Sequence, residues 1–186
     1  FYSKYFFYSK NYFLFYIRKF LINFLLKKGF KILFLGDQEY VFFIKLFKNH
    51  ESKASLFRFR IDDNFWKESF DKKNILKPYI LFIGNDLMRN YEMIYKIAKE
   101  CPDLEFKVIS QRFKNIYPVK IKNITNYGFN KNQYYEISDK ELKKIIQEAK
   151  CLILPIKDTL QPSGQSVCLQ AMACKTPVIT NIYDGL

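Results

Sequence analysis

Apolar positions along the chain follow two periods. Within residues 11–26 (NYFLFYIRKFLINFLL), Phe13, Ile17, Phe20 and Phe24 stand three or four residues apart, with Arg18, Lys19 and Asn23 between them. That spacing predicts an amphipathic helix closed by Lys27-Lys28-Gly29. Residues 31–35 (KILFL) read as a short buried strand ending at Gly36, and Asp37 as the cap of a helix running to about Lys48. Residues 55–61 (SLFRFRI) alternate apolar and basic side chains, the mark of a half-buried strand, until Asp62-Asp63-Asn64 breaks the pattern. Residues 67–78 are polar and end in Lys77-Pro78, as an interdomain linker would.

From residue 79 the rhythm becomes regular. A strand at 79–83 (YILFI) ends at Gly84, and a helix at 90–100 and a strand at 105–109 follow. A weaker strand covers 120–125. The helix at 138–149 opens with Ser138-Asp139-Lys140-Glu141, the spacing of a capping box. A strand at 151–155, a helix at 164–174 and a strand at 177–181 complete the series. Alternating strands and helices, with nearly continuous apolar strands, predict an α/β fold with a Rossmann-like parallel sheet covered by helices on both faces. The runs ILFLG at 32–36 and ILFIG at 80–84 are alike, either as two ordinary strand-to-glycine turns or as matching pieces of two doubly wound domains. The expected organisation is the tail of an N-terminal domain with an interdomain strand at 1–66, a linker at 67–78, and a Rossmann-like domain at 79–186. Both ends stop abruptly, at Phe1 and just after the last expected strand, so a partial chain is expected.

Composition narrows the chemistry. Of the 186 residues, 49% are hydrophobic, enough for a core, and 6 Gly and 6 Pro argue against low-complexity disorder. The 31 Lys and Arg exceed the 18 Asp and Glu, a net charge of +13 that favours anionic partners. Part of this excess accompanies a general abundance of Lys, Asn, Ile, Phe and Tyr, which AT-rich coding produces without selection. Cys101, Cys151, Cys168 and Cys174 have no Cys-x-x-Cys spacing and read as reduced core thiols of a cytoplasmic protein. His50, the one histidine, lies in a polar stretch with no second ligand at metal-binding spacing. Arg18 and Lys19 interrupt the most apolar segment, so no uncharged run reaches the ~20 residues of a membrane span.

Ser163-Gly164-Gln165-Ser166 lies between the strand at 151–155 and the helix at 164–174. In an open parallel sheet, ligands bind outside the carboxyl ends of the strands. The first amides of a helix lack intrahelical acceptors and carry the positive end of its dipole. Two local readings follow: a phosphate site, with Gly164 allowing close approach and the serines adding donors, or serines that cap a buried helix.

The wider stretch SGQSVCLQAMACKTPVIT resembles the donor-binding segment of GT-B glycosyltransferases of family 4. That family carries a Gly or Ser-Gly loop, then Leu-Glu-Ala-Met-Ala, then Gly-x-Pro-Val-Ile/Val. These read here as Ser163-Gly164-Gln165-Ser166, as Leu169-Gln170-Ala171-Met172-Ala173, and as Lys175-Thr176-Pro177-Val178-Ile179. Upstream, ILFIGNDLMRNYEMIYKIAK resembles the family's first donor-domain strand and turn, with Gly84, Arg89 and Tyr91 matching. FRFRIDDNFWKES resembles the segment that joins the two domains. The three matches keep the family's order across about residues 55–186.

The resemblance implies a retaining, metal-independent transfer of sugar from a nucleotide-diphosphate sugar to a glycan or lipid-linked acceptor, with no cofactor beyond that co-substrate. It implies room for the diphosphate at Gly84 and a catalytic cation at Arg89 on the leaving group. It also implies backbone donors at Gly164, Gln165 and Ser166, with Ser163 beside them. Gln170 stands where the family has a ribose-binding Glu, Asn85 where it has an Arg, and Lys175 where it has a Gly. No acid stands near Pro162 or Ser163, where the family has a second loop carboxylate. A competing class is a basic module for RNA or an anionic membrane surface, since residues 1–60 hold 12 Lys and Arg against 3 Asp and Glu. No RNA-binding signature supports nucleic acid as a partner, whereas peripheral contact with the inner face of a membrane is compatible with the transferase. An oxidoreductase is disfavoured because no Gly-x-Gly-x-x-Gly follows a strand.

Overall fold

The structure, a computed structural model, describes residues 12–68, 77–118, 121–127, 137–159 and 162–183. The chain divides into two compact units. One comprises 1–59 with 158–163 and 183–186; the other comprises 60–157 and 164–182. The expected linker at 67–78 lies largely outside the described residues.

In the first unit, helix α1 (Tyr12–Lys27) is followed by strand β1 (Ile32–Phe34), helix α2 (Asp37–Leu46), a 3-10 segment (Lys48–Lys53) and strand β2 (Ala54–Leu56). β1 and β2 pair in parallel, Ile32 beside Ala54 and Phe34 beside Leu56. Ile22 and Leu26 of α1 pack with Phe34, Phe43, Phe47 and Ala54 in its core. The residue that caps α2 is Gly36, whereas the sequence points to Asp37; Asp37 is the first helical residue and sits 3.5 Å from Arg58. The expected strand at 55–61 is shorter. Its pairing with β1 ends where the Phe57 amide donates to the Phe34 carbonyl, and Phe57 and Phe59 beyond it are exposed. Among the described residues no strand pairs with residues 57–61, so the alternating pattern has no ladder to join.

The second unit holds strands β3 (Tyr79–Ile83), β4 (Phe106–Ile109), β5 (Ile124–Tyr127), β6 (Ala149–Leu154) and β7 (Val178–Thr180). They form one parallel sheet in the order β5-β4-β3-β6-β7. Helices α3 (Tyr91–Glu100), α4 (Gln111–Ile116), α5 (Asp139–Glu148) and α6 (Gln165–Ala173) connect them. Every residue of β3 is buried, and its side chains alternate between two cores. Ile80 and Phe82 join Ile94, Ala98 and Phe113, while Leu81 and Ile83 join Trp66, Ile146, Ala171 and Cys174. The sheet is therefore covered on both faces, which explains why β3 reads as an unbroken apolar run.

Three local features define the boundaries. Helix α5 has the expected capping box: Ser138 Oγ accepts from the Glu141 amide, and Glu141 accepts from the Ser138 amide at 2.9 Å. Helix α4 had no apolar period to announce it; Ser110, fully buried, starts it by accepting from the Phe113 amide at 3.1 Å. β5 begins later than the expected 120–125 because Asn123 turns inward. Its Nδ2 reaches the carbonyls of Ala98, Cys101 and Leu104 at 2.9–3.0 Å and so finishes the end of α3. After α6 the chain closes in a Schellman turn, with the Thr176 amide on Ala171 O and the Lys175 amide on Met172 O. Lys175 takes the left-handed φ of 51° at the position where glycine is the usual choice. Among the described residues, no helix is long and apolar enough to cross a membrane.

Candidate functional site

The strand order locates the crevice. From β3 the chain moves outward through β4 to β5, then returns to β6 on the other side of β3. The connections after β3 and β6 therefore leave the sheet in opposite directions, which opens a crevice at their carboxyl ends. Gly84 and Arg89 follow β3, and Gly164 ends the loop after β6.

These two loops are tied together. Arg89 and Ile156 form an antiparallel bridge, flanked by Asn90 N to Pro155 O at 2.9 Å and Lys157 N to Met88 O at 2.7 Å. A third segment holds the bridge from the far side. The Asn181 amide clamps Ile156, accepting from its N–H at 2.8 Å and donating to its carbonyl at 2.9 Å. Thr180 Oγ1 also donates to Leu154 O at 2.8 Å.

The bridge fixes the Arg89 backbone, and the side chain is 4% exposed. It runs between the two glycines. A Cβ at Gly84 would overlap Arg89 Nε and lie 2.8 Å from Cγ and Cδ. A Cβ at Gly164 would lie 2.5 Å from Arg89 Nη1 and 2.7 Å from Leu154 Cδ2. The space left by each missing side chain is thus filled by one arginine. Gly164 also has φ 80°, a left-handed value that disfavours any other residue. Asp86 Oδ2 stands 3.4 Å from Arg89 Nε, and the Tyr91 hydroxyl fastens the turn by donating to Asp86 O at 2.7 Å. Burial, and next the nearby Asp86 charge, raise the Tyr91 pKa, so the hydroxyl keeps its donor proton.

Asn85 faces β4. Its Oδ1 accepts from Ser110 Oγ at 3.2 Å and from the Arg112 amide at 3.0 Å, while its carbonyl accepts from Arg112 Nε at 3.1 Å. A second guanidinium therefore stands beside the turn where the sequence offered only an asparagine. Ser163 is buried and accepts from the Tyr183 hydroxyl at 2.5 Å through its carbonyl. The N-cap of α6 is Gly164 and has no side chain to cap with, so neither Ser163 nor Ser166 is the cap. Gln165, Ser166 and Gln170 lie on α6 and are partly buried. Among the described residues, no three His, Cys, Asp or Glu side chains come together as a metal site would require.

Sequence reasoning overlooked Asp86, Arg112 and Asn181. Asp86 was visible as an acid three residues before Arg89. Asn181 was visible as an amide directly after an apolar run, a common place for a side chain that mimics a strand neighbour. Arg112 gave no signal, because its role depends on the register of β3 against β4.

No family model matches the chain, and no curated protein matches it. Among solved structures, it is similar to Anabaena Alr3699/HepE in complex with UDP and glucose, with a TM-score of 0.58 and 11% identity over 83% of this chain and 45% of that one. The GtfA/B complex bound to UDP and GlcNAc matches more weakly, with a TM-score of 0.40 and 12% identity over 81% of this chain and 30% of that one. The chain spans less than half the length of either. What the first likeness establishes is the fold: α/β, with a Rossmann-like parallel sheet and helices on both faces.

Proposed function

We propose that the second unit is the donor-binding part of a GT-B glycosyltransferase resembling family 4. In this reading it holds a nucleotide-diphosphate sugar whose sugar passes, with retention and without a metal, to a glycan or lipid-linked acceptor. The observation that carries the reading is the course of Arg89 between Gly84 and Gly164, at the carboxyl ends of β3 and β6. The UDP and glucose held by Anabaena Alr3699/HepE, a protein of similar fold, support it.

Each residue has a physical role in this scheme. As the sugar–phosphate bond breaks, negative charge grows on the departing diphosphate. Arg89 supplies a planar, permanently charged fork for two phosphate oxygens, preset by its burial, so little reorganisation accompanies the reaction. The amides of Gln165 and Ser166, in the first turn of α6, add the positive end of a helix dipole. Arg112, held on the Asn85 carbonyl, adds a second cation in the place of the family's arginine. Gln170 offers a neutral hydrogen bond to the ribose.

Calorimetric titration of the chain with UDP and with GDP tests this. Losing a charged hydrogen-bond partner costs about 1.5–3 kcal/mol, so Arg89→Ala should weaken binding roughly 10- to 150-fold. Arg89→Lys keeps a charge without the fork and should fall between, and Gln170→Ala should lose less. Unchanged affinity in Arg89→Ala, or binding of neither nucleotide by the wild type, refutes the assignment.

A further inference from the structure

The first unit contains a cavity of about 550 Å³ between α1 and the end of α2 with the turn that follows it. From α1, Tyr16, Lys19, Phe20 and Asn23 line it at helical spacing, so one face of that helix supplies one wall. Lys45, Lys48 and His50 come from the opposite side, and Phe47, 4% exposed, is packed into the core at that junction. Among the described residues that line the cavity, none is a carboxylate. Among the described residues, Lys19, Lys45 and Lys48 form no ion pair.

Three ammonium groups therefore share one concave surface without a counter-charge from the described residues that line it. The carboxyl end of α2 also contributes there, but a helix end amounts to only about half a negative charge and does not neutralise them. His50 Nε2 lies 2.7 Å from Asn23 Oδ1. An amide oxygen only accepts, so Nε2 carries the proton. Beside these donors, Tyr16 and Phe20 stand 65% and 69% exposed, giving the cavity an apolar edge next to its basic floor.

We infer that this cavity is a binding site for a phosphate-bearing ligand, with the lysines taking the phosphate and Tyr16 and Phe20 covering the apolar or ring-shaped group joined to it. A lone mobile anion would not need the exposed aromatics, and a neutral sugar would not need three lysines. The same chemistry is offered by a soluble phosphate ester and by a phospholipid headgroup.

The single histidine makes the site directly observable, because His50 alone gives imidazole carbon–proton signals. The full chain is titrated, with these signals recorded, against inorganic pyrophosphate and separately against vesicles of phosphatidylglycerol or phosphatidylcholine. Saturable His50 shifts with pyrophosphate identify a soluble ligand. His50 broadening together with sedimentation on phosphatidylglycerol but not phosphatidylcholine vesicles identifies a lipid headgroup. In either case Lys45→Gln/Lys48→Gln should weaken the response roughly tenfold, and added salt should weaken it further. The control Lys27→Gln/Lys31→Gln removes equal charge from exposed residues of the same unit outside the cavity, and should change it less than about twofold. If neither probe moves His50, or both double variants lose affinity equally, the site is refuted. Nucleotide binding by the Arg89 variants is read independently of His50, so either assignment can fail alone.

Discussion

Whether Gly84 can accept a methyl group depends on Arg89. Gly84 does not have a left-handed φ, so an alanine there meets no backbone strain. Its cost comes from Arg89, whose Nε would overlap the new methyl while Cγ and Cδ lie at 2.8 Å. These atoms are mid-chain in a side chain only 4% exposed, so relief requires turning the arginine out of its packed position. Forcing one extra carbon into a filled space costs about 1–3 kcal/mol, the expected loss of stability for Gly84→Ala. Arg89→Ala deletes every atom involved in the overlap. In that background Gly84→Ala should cost less than about 0.5 kcal/mol, leaving a coupling of about 0.5–3 kcal/mol for the cycle. Gly164→Ala should recover only partly in the same background. It keeps the overlap with Leu154 Cδ2 at 2.7 Å and a left-handed φ of 80°, the latter worth about 1–2 kcal/mol. Trp66 is the only tryptophan and is buried against the sheet, so urea unfolding followed by its fluorescence reports on the right unit. Equal costs of Gly84→Ala with and without Arg89 would show that the arginine does not occupy the glycine's space, and the geometric argument would fall.

Two other perturbations probe the framework. Asn123→Ala leaves the carbonyls of Ala98, Cys101 and Leu104 without their shared donor, and should cost about 2–4 kcal/mol in urea unfolding, against less than about 0.5 kcal/mol for a surface change such as Asn64→Ala. Glu39 is 7% exposed, and desolvation lifts its carboxyl from 4.5 to about 7. The folded state therefore holds a proton that the unfolded state releases, so its stability falls as pH rises from about 4.5 to about 7 and is level above. Glu39→Gln should raise the melting temperature at pH 8 by an amount equivalent to at most about 3 kcal/mol and leave it unchanged at pH 4. Melting followed by circular dichroism at both values checks this, and an equal effect at the two would remove the carboxyl as the cause.

The elements most legible in the sequence were those whose signal is local. β3 and residues 151–154 of β6 are continuous apolar runs because helices cover both faces, and α5 carries its own start signal in Ser138 and Glu141. Helix α4 is short and polar, and depends on one buried serine, so no periodicity could have revealed it. β5 is displaced because a tertiary partner, the end of α3, takes Asn123 from the strand. The candidate site divides in the same way. Gly84, Arg89 and Gly164 stood out as residues, but their relation did not, since it depends on a bridge between segments nearly seventy residues apart. The room that two glycines suggested for a ligand is taken up by the arginine itself.

That bridge bears on how the protein is made. As the chain leaves the ribosome, Gly84 and Arg89 are synthesised long before Ile156, Gly164 and Asn181, the residues that later enclose the arginine. During that interval β3 can pair with β4 but has no neighbour on its other edge, which β6 will occupy. A nascent chain with residues 79–109 emerged and 149–154 not yet emerged would therefore present an open strand edge, its unpaired backbone groups flanked by apolar side chains, and a solvated guanidinium. Closure of such long loops is slow, so this stage is the one most exposed to chaperones and to aggregation.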